Sequence, residues 1–266
     1  MPTVLDLPPT VHYERRGAVA IIRLNRPEAS NAANRETSFA VSYAVSFAEE
    51  DSSVGAILLT GTGTRAFCSG MDLKEAAKFG SGTGLVPGKG FLGVTERACR
   101  KPLIAAVNGA AVAGGCEVAL ACDLVVASET AVFGLPEIRR GMVAFAGGVQ
   151  RLAQVLPRQK SHEIIMTGAY YSAQEFQSLG LVNRVVSPEQ VLPDALALAE
   201  EILGNSWQCL YLAKELFNVA RDNTLQASID WGHAHGPALM NSDDSREGID
   251  AFNAKRMANF ANGKTQ

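Results

Sequence analysis

The sequence predicts a layered α/β fold to about residue 190, followed by a helical region. Three observations carry this. Short β-rich apolar runs recur between turn residues, helix-like segments alternate with them, and strand signals fade beyond Pro188. The chain therefore divides into a core, residues 1–190, and a helical C-terminal part, residues 191–266. No sharp internal repeat accompanies the alternation.

Val11 to Arg16 and Val19 to Leu24 read as two strands joined at Gly17, the second ended by Asn25-Arg26-Pro27. Arg35 to Glu50 has helical amphipathic spacing, with Phe39, Tyr43 and Phe47 four apart. Gly55 to Thr60 is a buried strand closed by the turn Gly61-Thr62-Gly63. Arg65 to Lys74 reads as a short strand running into a helix start. Gly80 to Gly93 is glycine-rich and reads as a mobile loop, the best place for a lid or pocket wall. Leu103 to Val107 is another buried strand. A helix follows at Cys116 to Ala121, and Asp123 to Ala127 returns as a strand. Val191 to Leu203, Trp207 to Asp222 and Thr224 to Phe260 are helical.

The 266 residues are 47% hydrophobic and 19% charged, an ordinary globular composition with enough chain for a large core. A net charge of -3 without a Lys/Arg stripe points away from nucleic acid. Five cysteines without paired spacing read as reduced thiols in a cytoplasmic setting. Met1 to Thr10 lacks the basic-then-apolar order of a signal peptide. The apolar stretch Ile104 to Ala127 is too punctuated by Asn108, glycines, Glu117 and Asp123 to span a membrane.

Two acids sit where carboxylates are costly. Glu117 lies in Ala113-Gly114-Gly115-Cys116-Glu117-Val118, and Glu137 in Phe133-Gly134-Leu135-Pro136-Glu137. An unpaired carboxylate among apolar neighbours is expensive, so such groups serve proton chemistry or a fixed hydrogen-bond network. A glycine pair entering a helix lets a ligand approach unpartnered backbone N–H groups at the positive end of the helix dipole. That arrangement suits an oxyanion. The same glycines equally serve close packing of helix on sheet. Glu137 alone reads equally as a surface acid before Arg139 and Arg140. Ser69-Gly70-Met71-Asp72 is a second strand-to-helix junction, able to supply another N–H, with Asp72 as the helix-capping acid. His233-x-His235 lacks further ligand spacing, so no metal is expected. No dinucleotide, phosphate-loop or serine-nucleophile motif occurs.

Together these segments resemble the enoyl-CoA hydratase (crotonase) family. The resemblance runs through Leu24-Asn25-Arg26-Pro27, Ala66 to Leu73, Lys101-Pro102-Leu103 to Asp123, Phe133 to Glu137, Ala146-Gly147-Gly148 and Glu247 to Arg256. It implies a spiral of ββα units (the ClpP/crotonase fold) with a helical C-terminal trimerisation region, in a homo-trimer or hexamer. It implies an acyl-CoA thioester substrate and no cofactor beyond the coenzyme A of that substrate. The oxyanion donors map onto the N–H groups of Met71 and Gly114, and the catalytic acids onto Glu117 and Glu137. It further places Arg26, Ala66, Cys68, Asp72, Leu73, Lys74, Gly115, Phe145 and Lys255 on the substrate or its CoA. With both acids present, the pattern implies hydration of a trans-2-enoyl-CoA. The alternatives are a carnitinyl-CoA-like dehydratase, a Δ3,Δ2-enoyl-CoA isomerase, an aromatic acyl-CoA hydratase-lyase, or a non-catalytic acyl-CoA-binding member. Ala144-Phe145 departs from the Pro-Gly of many members and reshapes the acyl pocket.

Overall fold

The computed structural model describes residues 5–80 and 82–263. Residues 1–4, 81 and 264–266 lie outside the described residues. Part of the signal-peptide reading falls on the first group, and part of the lid reading falls on Ser81.

The chain opens with an antiparallel hairpin of β1 (Val11–Arg16) and β2 (Val19–Leu24), turning at Gly17, whose φ of +55° suits glycine. A 3-10 turn at Pro27–Ala29 leads to α1 (Arg35–Glu50), capped by Asn34 through the Thr37 N–H. One unit then recurs. It appears first as β3 (Ala56–Gly61), β4 (Ala66–Cys68) and α2 (Leu73–Phe79). After a small hairpin of β5 (Leu85–Val86) and β6 (Gly90–Phe91), it returns as β7 (Leu103–Val107), β8 (Ala110–Val112) and α3 (Gly114–Ala121). Its third appearance is β9 (Leu124–Ser128), β10 (Val132–Gly134) and a 3-10 turn at Pro136–Arg140. There follow α4 (Gly148–Val155), α5 (Arg158–Thr167), β11 (Tyr171–Ser172), α6 (Ala173–Ser178) and β12 (Arg184–Val186). The chain ends in α7 (Val191–Leu203), α8 (Trp207–Asp222), α9 (Leu225–Met240) and α10 (Asp243–Asn253).

Each repeated unit gives its first strand to one sheet and its second to another. The large sheet runs β1-β2-β3-β7-β9-β12 and the small one β11-β10-β8-β4. Successive units stack as parallel neighbours in both sheets. This is the ββα spiral.

Side-chain alternation explains why the large sheet is covered on both faces. Val19, Ile21, Ala56, Leu58, Ile104 and Ala106 turn toward α7, which meets them with Val191, Ala195, Leu198 and Ala199. Their neighbours Ile22, Ile57, Leu59 and Val107 turn to the main core beneath α1. Strands buried on both faces read as continuous apolar runs. Each fully buried aliphatic side chain contributes about 1.5–3 kcal/mol.

Two readings change. The helix at Arg35–Glu50 forms, but Phe39 and Tyr43 are 43% and 53% exposed. Its inward face is the small-residue one, Ala40, Val41, Ala44, Val45 and Ala48, because the helix lies too close to the sheet for aromatic rings. Gly80 to Gly93, expected as a loose loop, holds the β5–β6 hairpin, with Phe91 and Leu92 buried in the core. Among the described residues no helix is long and apolar enough to cross a membrane.

Candidate active site

Parallel pairing of β4, β8 and β10 puts their carboxyl ends along one edge. Whatever follows each strand therefore meets its counterparts: Ser69–Asp72 after β4, Ala113–Gly115 after β8, Leu135–Glu137 after β10. A cavity of about 760 Å³ opens along this edge. Met71, Gly114, Glu117 and Glu137 all line it. Residues distant in sequence converge because they occupy the same place in three turns of the spiral.

The backbone donors are built by strain and close approach. Ala113 has φ +53° and ψ −130°, a conformation L residues rarely hold, which turns the chain from β8 into α3. Its N–H donates to Gly134 O at 2.9 Å, and its carbonyl accepts from Cys116 and Glu117 N–H. Gly114 is thus the first residue of a helix, where an N–H has no intrahelical partner. Gly70, at φ +90°, lies so near that an added Cβ would sit 3.1 Å from Gly114 N. Met71 is held by flanking bonds, Ala33 N–H to Gly70 O and Asp72 N–H to Ala33 O. Among the described residues, neither Met71 N–H nor Gly114 N–H donates elsewhere in the chain. Two such amides on one cavity wall suit a developing oxyanion.

The acids differ in surroundings. Glu117, in the first turn of α3, is 4% exposed, and its Oε1 accepts the Gly148 N–H at 3.0 Å. Burial raises its pKa, while the N–H groups of Gly148 and Ala146 and the Arg151 cation act the other way. Burial pushes Glu137 up to about 7; its own N–H opposes this, the Glu117 charge adds to it, and Arg140 opposes it. The Glu137 Oε2 is buried with no hydrogen-bond partner in the chain. Burial thus raises both carboxyls, but two N–H groups and a cation counter it at Glu117, whereas at Glu137 the charge of its neighbour adds to it.

Of the other residues placed on the substrate, Arg26, Asp72, Leu73, Lys74 and Phe145 line the cavity. Asp72 caps α2 through the Lys74 and Glu75 N–H groups and pairs with Arg26 at 2.9 Å. Burial would raise its carboxyl, but the hydrogen bonds from Arg26, Glu75 and Lys74 prevail and lower it. Ala66, Cys68, Gly115 and Lys255 do not line the cavity. Ala66 and Cys68 are buried in β4; the Ala66 carbonyl accepts from Asn31 at 2.7 Å, and the Cys68 thiol, pushed by burial up to about 12, accepts the Gly70 N–H. Gly115 faces Cys68, whose carbonyl oxygen would lie 1.9 Å from an added Cβ, so it sets how closely α3 meets β4. Lys255 is exposed beyond α10, at φ +53°. Sequence reasoning missed the Gly148 amide, Phe91, Arg140, Met142 and Tyr170. Only the first had a signal: Gly147-Gly148 opens α4 as Gly114-Gly115 opens α3. Exposed His233 and His235 stand apart on α9, and among the described residues no group of side chains is arranged to hold a metal ion.

One buried and one half-buried carboxyl on the wall that presents two main-chain amides, at the carboxyl ends of parallel strands, form an arrangement that suits acid–base chemistry beside a developing oxyanion. The sequence model of the enoyl-CoA hydratase/isomerase family matches residues 14–263. A probable enoyl-CoA hydratase of Rhizobium meliloti (strain 1021) is 40% identical over 94% of this chain and 97% of its own. The carnitinyl-CoA dehydratase of Salmonella enteritidis PT4 is 37% identical over 93% and 96%. The crystal structure of enoyl-CoA hydratase EchA1 from Mycobacterium marinum superposes with a TM-score of 0.91 at 38% identity, covering 97% of this chain and all of that one. The chain belongs to the enoyl-CoA hydratase/isomerase family and has its crotonase fold.

Proposed function

We propose that the protein is an enoyl-CoA hydratase, adding water reversibly and syn to a trans-2-enoyl-CoA to give the 3-hydroxyacyl-CoA. The observation that carries this is the pair Glu117 and Glu137, in different surroundings, on the wall that presents the Met71 and Gly114 amides.

In the forward step the thioester oxygen lies against those two amides. Ionised Glu117 takes a proton from water as the water oxygen bonds to C3. The C2=C3 π electrons move toward the thioester, whose oxygen gathers charge that the amides stabilise. Glu137 then gives its proton to C2. Overall one H–O bond and one π bond break, and one C–O and one C–H bond form; no electron leaves the substrate, so the proposed chemistry needs no redox group or metal. Each positioned acid or base contributes about 100–10,000-fold, and each amide donor about 100–1000-fold.

The carnitinyl-CoA dehydratase relative supplies the second reading, since an acid–base pair able to add water across a double bond can also remove it. Arg140 lines the cavity beside Glu137, which works against a quaternary ammonium on the acyl group. The assembly is proposed as a trimer or hexamer, with exposed Phe217, Leu225, Met240 and Phe252 on α8–α10 as apolar surface for it. A cytoplasmic setting is proposed as well, in keeping with five free cysteines.

The test is turnover in heavy-oxygen water of a panel of 2-enoyl-CoAs and 3-enoyl-CoAs, with crotonobetainyl-CoA among them. Labelled 3-hydroxyacyl-CoA from 2-enoyl substrates is the expected product. Exclusive double-bond migration, or no change in any panel member, defeats the reading. The pH profile is a further expected result. Hydration needs Glu117 ionised and Glu137 protonated; dehydration needs the reverse. Both states hold one proton between the two acids, so kcat/KM follows the same bell in both directions. The upper limb falls as pH rises through about 7, where Glu137 gives up its proton. Profiles that differ in shape between the two directions contradict the assignment.

A further inference from the structure

Glu117 is held from behind by groups that have no place in the chemistry above. Its Oε1 depends on the Gly148 N–H at the start of α4. Gly147, at φ +105°, precedes that amide. What fixes the turn is Arg151, one helical turn on. Its backbone N–H donates to Gly147 O at 3.0 Å, as any residue there would. Its side chain folds back over Gly147 so closely that a Cβ there would lie 1.9 Å from Nη1. Nη2 donates to Thr95 O at 2.6 Å. The Thr95 hydroxyl in turn accepts the Phe91 N–H at 2.9 Å, and the Phe91 ring packs on Gly114, where an added Cβ would meet it at 2.7 Å. One guanidinium therefore ties the turn that hydrogen-bonds the base to the segment that backs the oxyanion amide.

Its charge is also unusual. Arg151 is partly buried, yet among the described residues no carboxylate forms an ion pair with it. A half-buried cation without a hydrogen-bonded counterion is costly. The charged groups that act on it are Glu117 and Glu96, both attractive, and Arg221 from α8, repulsive; the Cys122 thiol is the other titratable neighbour. The charged group that acts on Glu117 is Arg151, beside the Gly148 and Ala146 N–H groups, while Glu117 itself acts on Glu137.

We infer that Arg151 is a positioning residue of the hydration step, clamping the Gly148 amide onto Glu117 and supplying the positive charge that keeps this carboxyl ionised. The inference rests on the proposed hydratase reading for its kinetic consequence, and on the packing at Gly147, the Gly148 hydrogen bond and the pull of the Arg151 charge for its effect on Glu117. Removing the cation withdraws an interaction that favours the charged carboxylate, so the Glu117 pKa rises. The acidic limb of kcat/KM then moves to higher pH.

The experiment compares wild type, Arg151→Gln and Arg151→Lys. Expected for Arg151→Gln is a kcat lower by about tenfold or more, KM within about threefold, and an acidic limb displaced upward. Arg151→Lys keeps the charge but loses the planar fork that packs over Gly147 while it bonds Thr95 O, so its limb stays at the wild-type position while kcat drops about threefold or more. Carbon-13 NMR of labelled glutamate carboxyls reads the titration of Glu117 without turnover, assigned through Glu117→Gln. An unmoved Glu117 titration in folded Arg151→Gln overturns the inference. If Arg151→Gln does not fold, Arg151→Lys decides: wild-type kcat, a displaced limb, or a change confined to KM overturns it. A wild type that hydrates nothing defeats the hydratase reading, while the NMR titration still decides on Arg151.

Discussion

Glu117→Gln and Glu137→Gln each abolish hydration of crotonyl-CoA while acyl-CoA binding survives. The amide is close in shape to the carboxyl, so the cavity keeps its form. In Glu117→Gln the side-chain oxygen still accepts the Gly148 N–H, but nothing takes the proton from water. In Glu137→Gln nothing delivers an acidic proton to C2, and the charge effect of Glu117 on that position no longer matters. Each loss is about 100–10,000-fold in kcat. The two acids act on one bond system, so the double variant falls little further than the worse single one. Loss of enone absorbance measures turnover, and calorimetric titration with acetyl-CoA measures binding. Near wild-type turnover in either variant removes the acid–base assignment. Losses that multiply in the double variant separate the acids into independent roles.

Much of this site was readable in the amino acids. Glu117 and Glu137 stood out because a carboxyl among small and apolar residues needs a reason, and Ala113-Gly114-Gly115 because only glycine lets a helix start that close to a strand. What local patterns could not supply was the third dimension. The Phe39-Tyr43-Phe47 spacing is helical, yet whether a stripe faces in depends on the gap to the sheet; here Ala40, Ala44 and Ala48 fit that gap and the aromatic rings do not. Glycine-rich Gly80 to Gly93 suggested looseness, but the burial of Phe91 pins the segment. Ala66, Cys68 and Gly115 came with the family pattern and proved to sit behind the cavity wall rather than on it. The support for Glu117 from Gly148 spans 31 positions in the chain, and no periodicity reaches that far.

Gly115→Ala tests whether the wall behind the amides is as tight as its geometry. The added methyl would lie 1.9 Å from Cys68 O, 2.6 Å from its carbonyl carbon and 2.9 Å from its Cβ. Two of these are backbone atoms of β4, which is laddered to β8, so no side chain can swing aside to make room. Relief comes only from lifting α3 off β4. That movement separates Gly114, the first residue of α3, from Met71, three residues beyond the end of β4. Stability and catalysis therefore fall together. Overpacking of this kind costs about 3 kcal/mol, which for a chain of this size lowers Tm by about 6–12 °C. Displacing one oxyanion donor takes about 100–1000-fold from kcat. Gly82→Ala is the matched control, since a Cβ there meets nothing within 4 Å. Thermal melts and crotonyl-CoA turnover on both variants check the result. A Gly115→Ala protein with the melting point and rate of Gly82→Ala means that α3 and β4 are not in the contact that aligns the two amides, and the oxyanion site then loses its structural basis.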